Sequence, residues 1–487
     1  MSKKASIISF CALGAVILAL IVLLVVTTTL NTGTIVGLGA QNDTLESKIE
    51  VLASQKESLE FQLTELEKKL ENAGEFYADE IEALKSEIET KRAEIAALEA
   101  DIAKYSTVFS IDVLEQAKLI EQIEKYIKNA CPFVKVKLSN AETDAENTDL
   151  SADKEVAYEW VSVDKLVNEE VAKRAALGDE AEPLFSESEL FASGMTETEL
   201  TNLKLRELVF AREDVIMPSV SVYYEDLATG YHYGYNESAA YDAASVVKAP
   251  YVMSILRAVA ADEKAYLDAK LEAGEAPERI DTDEDGVPDT TVIEYSDPMY
   301  NLSDVVVYDS KTMAATGSGK IKDMPDGTEL TYIDFVKYTL EESDNVGFSQ
   351  LKKRFGYNNY YALAREVKAS TVLSGGNNMS AVDAGKLFKA IYRFIEEDNA
   401  YSQIMRDSML KANHTVIIPY GVSPTKALHK YGWDEGAYHD AAIVLHEDKP
   451  YVLAVFSDFE KGGNEVNEYL RNIVKMINKL HKGFYQN

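Results

Sequence analysis

Three short clusters in the second half of the chain carry a nucleophile, a base and polar groups: Ser245-Val-Val-Lys248, Ser343-Asp344-Asn345 and Lys430-Tyr431-Gly432. A serine and a lysine three residues apart at a helix start lie on one face, so a neutral amine there can take the hydroxyl proton and leave an oxygen nucleophile. The spacing alone is weak, because Ser-x-x-Lys also begins at Ser151, Ser162, Ser349, Ser408 and Ser423. Ser245 differs in context. It follows Asp242-Ala-Ala and opens an apolar run, Val246 to Val259, in which Tyr251, Ile255 and Val259 recur at helical spacing.

The elements that must position these groups are legible around them. Val220 to Leu227, then Ala228-Thr-Gly230 and Tyr231 to Tyr235, read as a β-hairpin ahead of the nucleophile helix. A second hairpin runs from Ala441 to Leu445 and from Tyr451 to Phe456 across Glu447 to Pro450, before a closing helix from about Asn464 to Leu480. Strands at both ends with helices between them predict an α+β domain.

The ordered set Ser-x-x-Lys, Ser-Asp-Asn and Lys-x-Gly resembles the class A β-lactamases and penicillin-binding proteins, over roughly residues 203 to 487. The resemblance implies an antiparallel sheet flanked by helices. It also implies roles. Ser245 is then the nucleophile, Lys248 its base and Ser343 the relay of a proton to the departing nitrogen. Asn345 holds Lys248 and the substrate amide, while Lys430 attracts the substrate carboxylate and helps keep Lys248 neutral. The oxyanion rests on the backbone N–H groups of Ser245 and Trp433, beside Tyr431 and Gly432; such donors contribute on the order of 3 kcal/mol to lowering a barrier. Taken singly, Ser343-Asp344-Asn345 also reads as a helix cap or loop and Lys430-Tyr431-Gly432 as a strand end. His429, His439 and Asp440 read as structural. No His and Cys cluster offers the ligands of a zinc hydrolase.

Two departures qualify the resemblance. Tyr431 stands where the family has Thr or Ser. Class A hydrolysis also uses a glutamate in a Glu-x-x-Leu-Asn setting to activate the deacylating water, whereas Val346 to Met379 holds one carboxylate, Glu366, followed by Val-Lys-Ala. Acylation without efficient deacylation is the expectation.

Elsewhere, Asp281, Asp283, Asp285 and Asp289 alternate around Gly286 as in a calcium loop, but Val292 stands at the twelfth position. The alternatives are a structural calcium site and an acidic solvated insertion. No other cofactor is expected. At the N-terminus, Ile7 to Leu30 is almost wholly apolar after Lys3 and Lys4, which predicts a single uncleaved membrane span with the rest of the chain outside the cytoplasm. Leu45, Leu52, Leu59 and Leu66, then Ile81 to Ile102, form heptad seams with one stutter between Tyr77 and Ile81. They predict a self-associating coiled-coil stalk, hence a homo-oligomer, whose ~60 residues reach roughly 90 Å. Cys131 is the one thiol beyond the apolar segment; it reads as a buried inert thiol or an interchain partner.

The expected organisation is therefore residues 1–41 as cytoplasmic end and anchor, 42–106 as stalk, 107–200 as a helical and acidic linker region, partly structured, with a helix at Ile111 to Ile127 and a strand at Phe133 to Leu138, and 201–487 as the hydrolase-like domain with an insertion at 262–300. A net charge of −33, from 49 basic and 82 acidic residues, sets nucleic acid aside as a partner. Three functional readings stand: a β-lactamase-like hydrolase of β-lactams or related amides, a penicillin-binding peptidase or transferase acting on D-Ala-D-Ala peptides of the wall, and an inactive wall- or partner-binding module on a spacer.

Overall fold

The computed structural model describes residues 50–65, 86–99, 113–138, 157–275, 297–447, 449–460 and 462–485. The apolar segment expected to span a membrane, the stutter of the stalk and the four aspartates of the calcium reading lie outside them. Two compact units divide the chain: Met1–Glu124 with Ala228–Tyr231 and Met476–Asn487, and Lys125–Leu227 with His232–Lys475.

In the first unit, residues 50–65 and 86–99 are helical and their seam positions Leu52, Leu59, Leu63, Ile95 and Leu98 are half-buried, with Ile88 buried. Lys56 Nζ lies 3.1 Å from Glu99. An unbroken straight helix would hold these two residues roughly 65 Å apart. The two helices therefore lie side by side within one chain, which corrects the expectation of a continuous rod. Heptad periodicity specifies an apolar face on a helix and does not name what covers it.

The second unit is built on a five-stranded antiparallel sheet of β1 (Val220–Asp226), β2 (His232–Tyr235), β3 (Ala427–Asp434), β4 (Ala437–Val444) and β5 (Tyr451–Ser457), in the order β3-β4-β5-β1-β2. Both expected hairpins are present, with Val222 opposite Tyr235 and Val444 opposite Tyr451. β1, β4 and β5 are buried along their whole length, which is why Ala441-Ala-Ile-Val444 and Tyr451 to Val455 read as near-continuous apolar runs rather than alternating ones.

Helix α1 (Lys248–Glu272) runs through the core. With the preceding turn it is, among the described residues, the one helix long and apolar enough to cross a membrane, but 67% of its apolar window is buried inside the fold. It also extends past residue 262, so the first part of the expected insertion is the end of this helix. Helix α2 (Asn345–Phe355) follows the second motif, and helix α3 (Ala381–Ile395) packs under the sheet. A Cβ on Gly385 of α3 would lie 2.2 Å from the Tyr223 ring of β1, so this helix approaches the sheet at a distance only glycine permits.

The region expected to be a partly structured linker holds a helix at Val113–Asn129 and a strand at Phe133–Lys137, and more folded elements after them. Phe133–Lys137 pairs with Tyr158–Ser162 and with Val215–Ile216, and helices follow at Val163–Leu177, Glu187–Ser193 and Glu197–Phe210. Its acidic residues have local tasks: Ser186 with Glu189 and Thr196 with Glu199 form capping boxes. Lys135 reaches Asp458 at 2.8 Å and Trp160 meets Phe459 with ring centroids 5.6 Å apart, which fixes this small sheet beside β5. Cys131 is buried, donates to the Phe133 carbonyl, and burial pushes its thiol up to about 12, so it is inert.

Candidate active site

Ser245 lies in a tight turn, Ala244–Val247, that leads into α1. Ala244 has φ +45°, a left-handed conformation that costs a residue with a Cβ on the order of 1–3 kcal/mol and persists only where its surroundings impose it. Those surroundings are specific. Asp242 Oδ1 accepts from the Ala244 N–H at 2.7 Å and from Asn377 Nδ2 at 2.9 Å, and the Ala243 N–H donates to the Asn377 carbonyl at 2.6 Å.

Lys248 begins α1 one turn after Ser245 and is 2% exposed. Its Nζ lies 2.6 Å from the Ser343 carbonyl, 2.6 Å from Asn345 Oδ1 and 3.3 Å from Ser343 Oγ. Burial, joined by the positive charge of Lys430 and opposed by Asp344, lowers this ammonium from its ordinary range to about 7. A neutral amine has two N–H donors and one lone pair. The two short contacts use the donors, leaving the lone pair for a hydroxyl.

The second motif is held by its central residue. Asp344 is fully buried: Oδ1 caps α2 by accepting from Gly347 N–H at 2.8 Å, and Oδ2 accepts from Lys320 N–H at 2.7 Å and Ile321 N–H at 2.9 Å. The chain from Thr316 to Ile321 is thereby tied to the motif. Ser318 Oγ donates to the Ser343 carbonyl at 2.7 Å, and Asn345 Nδ2 donates to the Thr316 carbonyl at 2.6 Å. Gly319, at φ +122°, sits where a Cβ would lie 2.2 Å from Asp344 Oδ2. Nothing in the sequence pattern pointed to this loop, because its partners lie more than twenty residues away.

The third motif splits by strand alternation. Gly432 faces the nucleophile turn closely enough that a Cβ would lie 3.0 Å from the Val246 nitrogen. Lys430 is 3% exposed, donates to the Tyr431 carbonyl at 2.8 Å and does not line the cleft. Burial lowers its ammonium to about 7, opposed by Asp440. Its charge contributes to lowering Lys248, and its amine is buried against the Tyr431 carbonyl. Tyr431 points the other way, stacking on His414 with centroids 5.6 Å apart and meeting Tyr438 edge-on at 5.4 Å. Trp433 is exposed on the cleft wall, its indole N–H donating to the Glu460 carbonyl.

These groups border a cleft of about 1060 Å³ that brings together Ser245, Lys248, Ser343, Asn345, Tyr431 and Trp433. Its far wall holds Tyr357, Tyr360 and Tyr361, which the motifs did not announce. Glu366 does not line it. Both carboxylate oxygens of Glu366 are paired with Arg257, at 3.1 and 2.8 Å.

The sequence matches the model of the Beta-lactamase enzyme family over residues 204–298 and 292–480. Solved structures similar to this chain include a β-lactamase from Sphaerobacter thermophilus DSM 20745, 18% identical, covering 54% of this chain and 92% of that one with a TM-score of 0.42. PBP-A is 15% identical, with 56% and 92% covered and a TM-score of 0.41. A β-lactamase from Chitinophaga pinensis DSM 2588 is 17% identical, with 54% and 93% covered and a TM-score of 0.41. No curated protein matches the sequence. The family match spans more than half of the chain, which therefore belongs to the beta-lactamase enzyme family.

Proposed function

We propose that the chain is a serine acyl-enzyme of the penicillin-binding kind, which opens a β-lactam or a related peptide amide at Ser245 and releases the acyl group slowly. The observation that carries this reading is the buried Lys248 amine, lowered to about 7 and held by Ser343 and Asn345 at the start of the helix that follows Ser245. In the first step the Ser245 hydroxyl proton passes to Lys248 as Oγ bonds to the carbonyl carbon. The C–N bond then breaks, and Ser343 Oγ passes a proton from Lys248 to the leaving nitrogen. An ester on Ser245 remains.

Release of that ester requires water and a base. Glu366 is held by Arg257 away from the cleft, and the carboxylates that do line the cleft, Asp434 and Glu435, lie at the β3–β4 turn. This favours a long-lived acyl-enzyme over rapid β-lactam hydrolysis. The apolar segment Ile7 to Leu30 supports placing the domain outside the cytoplasm, tethered to the membrane, where wall peptides are its substrate class.

A chromogenic cephalosporin tests the reading. It predicts a colour burst of about one equivalent per chain followed by slow turnover. Sustained rapid turnover would replace it with a working lactamase.

A further inference from the structure

Asn345, Phe348 and Lys352 follow one another along one face of α2, and that face forms a wall of the cleft. The same three residues, with Ala314, Ala315 and Thr316, also line an adjoining side pocket of about 480 Å³. The side pocket and the cleft thus share Thr316, Asn345, Phe348 and Lys352 as a common wall.

Its charge is unusual for this protein. In a chain with 82 acidic residues, the Lys352 ammonium lies 4.5 Å over the Phe348 ring and, among the described residues, pairs with no carboxylate. Lys248 is held by Ser343 and Asn345, and Lys430 is buried against the Tyr431 carbonyl. His414 stacks on Tyr431, and burial lowers its imidazolium, so it is neutral at pH 7. Among the described residues that line the cleft, Lys352 is thus the cation left without an anionic or carbonyl partner. The Thr316 carbonyl, also on the pocket wall, accepts from Asn345 Nδ2.

We infer that this side pocket is a subsite for a carboxylate on the acyl side of the substrate, recognised by Lys352 with the Phe348 ring beneath it. The inference rests on the acyl-enzyme reading, in which Asn345 holds the substrate amide and so directs the acyl group toward the pocket. It adds an anion site for the acyl group, distinct from the leaving-side carboxylate that the third motif was expected to hold. The substrates selected are those whose acyl group bears an acid, such as the free α-carboxylate of an isoglutamyl or diaminodicarboxylate peptide.

Benzylpenicillin and its α-carboxy analogue differ by one carboxylate on the acylamino side chain and test this directly. The full chain is acylated by each, and the ratio of second-order rate constants is read by intact mass. The ratio cancels any effect of Lys352 on Lys248. A preference for the carboxylated compound of roughly two- to fivefold is expected, the measure of one half-exposed ion pair, and it falls as salt is raised. Lys352→Gln brings the ratio to about one, Lys352→Glu inverts it and Lys352→Arg restores it. A ratio near one in the unsubstituted protein, or one unchanged in Lys352→Gln, overturns the subsite. Where neither penicillin acylates, the acyl-enzyme reading fails on its own, and calorimetric titration of the same pair decides the subsite. Tighter binding of the carboxylated compound, lost in Lys352→Gln, upholds it; equal binding or none overturns it.

Discussion

His439 Nε2 donates to the backbone carbonyl of Asp242 at 2.8 Å, so a histidine on β4 fixes the chain three residues before the nucleophile. The tautomer follows from the other nitrogen: Nδ1 accepts from the Ser457 N–H at 3.1 Å and must carry no proton. The ring is fully buried between Phe456, stacked at 4.2 Å, and the edge of Tyr241. Burial lowers its pKa to about 4, so it is neutral under ordinary conditions.

His439→Phe keeps the ring volume but leaves one buried N–H and one carbonyl unpaired, at about 1–3 kcal/mol each. Urea unfolding at pH 7 should show a loss on the order of 2–6 kcal/mol, with slower acylation. The folded pKa lies below the unfolded value near 6.5, so the native chain binds fewer protons between pH 4 and 6.5. The native histidine's contribution is full above that window and is lost as pH falls through it. The gap between the two proteins should therefore narrow at pH 5.

Acylation requires neutral Lys248, so its rate should rise with pH through an inflection near 7 and then level. Lys430→Met removes a neighbouring positive charge and should move that inflection to higher pH. The same substitution should raise Tm. Lys430 is itself lowered to about 7, so its burial penalty is full below that pH and relieved as pH rises toward 10.5. The gain in Tm should be larger at pH 6 than at pH 9, measured by calorimetric scans.

Gly432→Ala places a methyl 3.0 Å from the Val246 nitrogen and 3.1 Å from the Ala243 carbonyl, both backbone atoms of the nucleophile turn. β3 must withdraw by a few tenths of an ångström, which widens the gap between the Ser245 and Trp433 N–H groups. Acylation should slow by roughly 10- to 100-fold while Tm changes by only a few degrees. An unchanged rate would separate β3 from oxyanion binding.

Glu366→Gln removes one partner of the Arg257 pair and touches nothing in the cleft. The lifetime of the acyl-enzyme, followed by the return of unmodified mass, should be the same within about twofold, with a stability loss of roughly 1 kcal/mol or less. A markedly longer lifetime would make Glu366 the deacylating base.

The three motifs and both hairpins were legible because each is a local pattern: a helix start, a cap residue, a paired run of apolar residues about a turn. What the sequence did not disclose is long-range. Ser318 and Thr316 reach Ser343 and Asn345 across 25 and 29 residues, and Asn377 reaches Asp242 across 135. No periodicity encodes such pairs. Lys430 was read as a substrate ligand, yet the edge of the sheet turns its amine inward. The acidic stretch around Ser186 and Thr196 was read by composition, although the Ser-x-x-Glu and Thr-x-x-Glu spacing held two helix starts. The heptads at Leu52, Leu59 and Ile95 fall on helical residues, but a heptad pattern does not say what its apolar face meets, and the Lys56–Glu99 pair between the two helices has no local signal.

The central claim is that Ser245 becomes acylated with Lys248 as base and keeps its ester. Intact-mass spectrometry of the full chain after incubation with benzylpenicillin, beside Ser245→Ala and Lys248→Met, tests it most directly. The account predicts one adduct of the penicillin's mass on the unsubstituted protein, persisting for at least minutes after the drug is removed and mapped to the peptide holding Ser245, with none on either variant. An adduct that survives in Ser245→Ala, or drug consumed with the protein left unmodified, would contradict it.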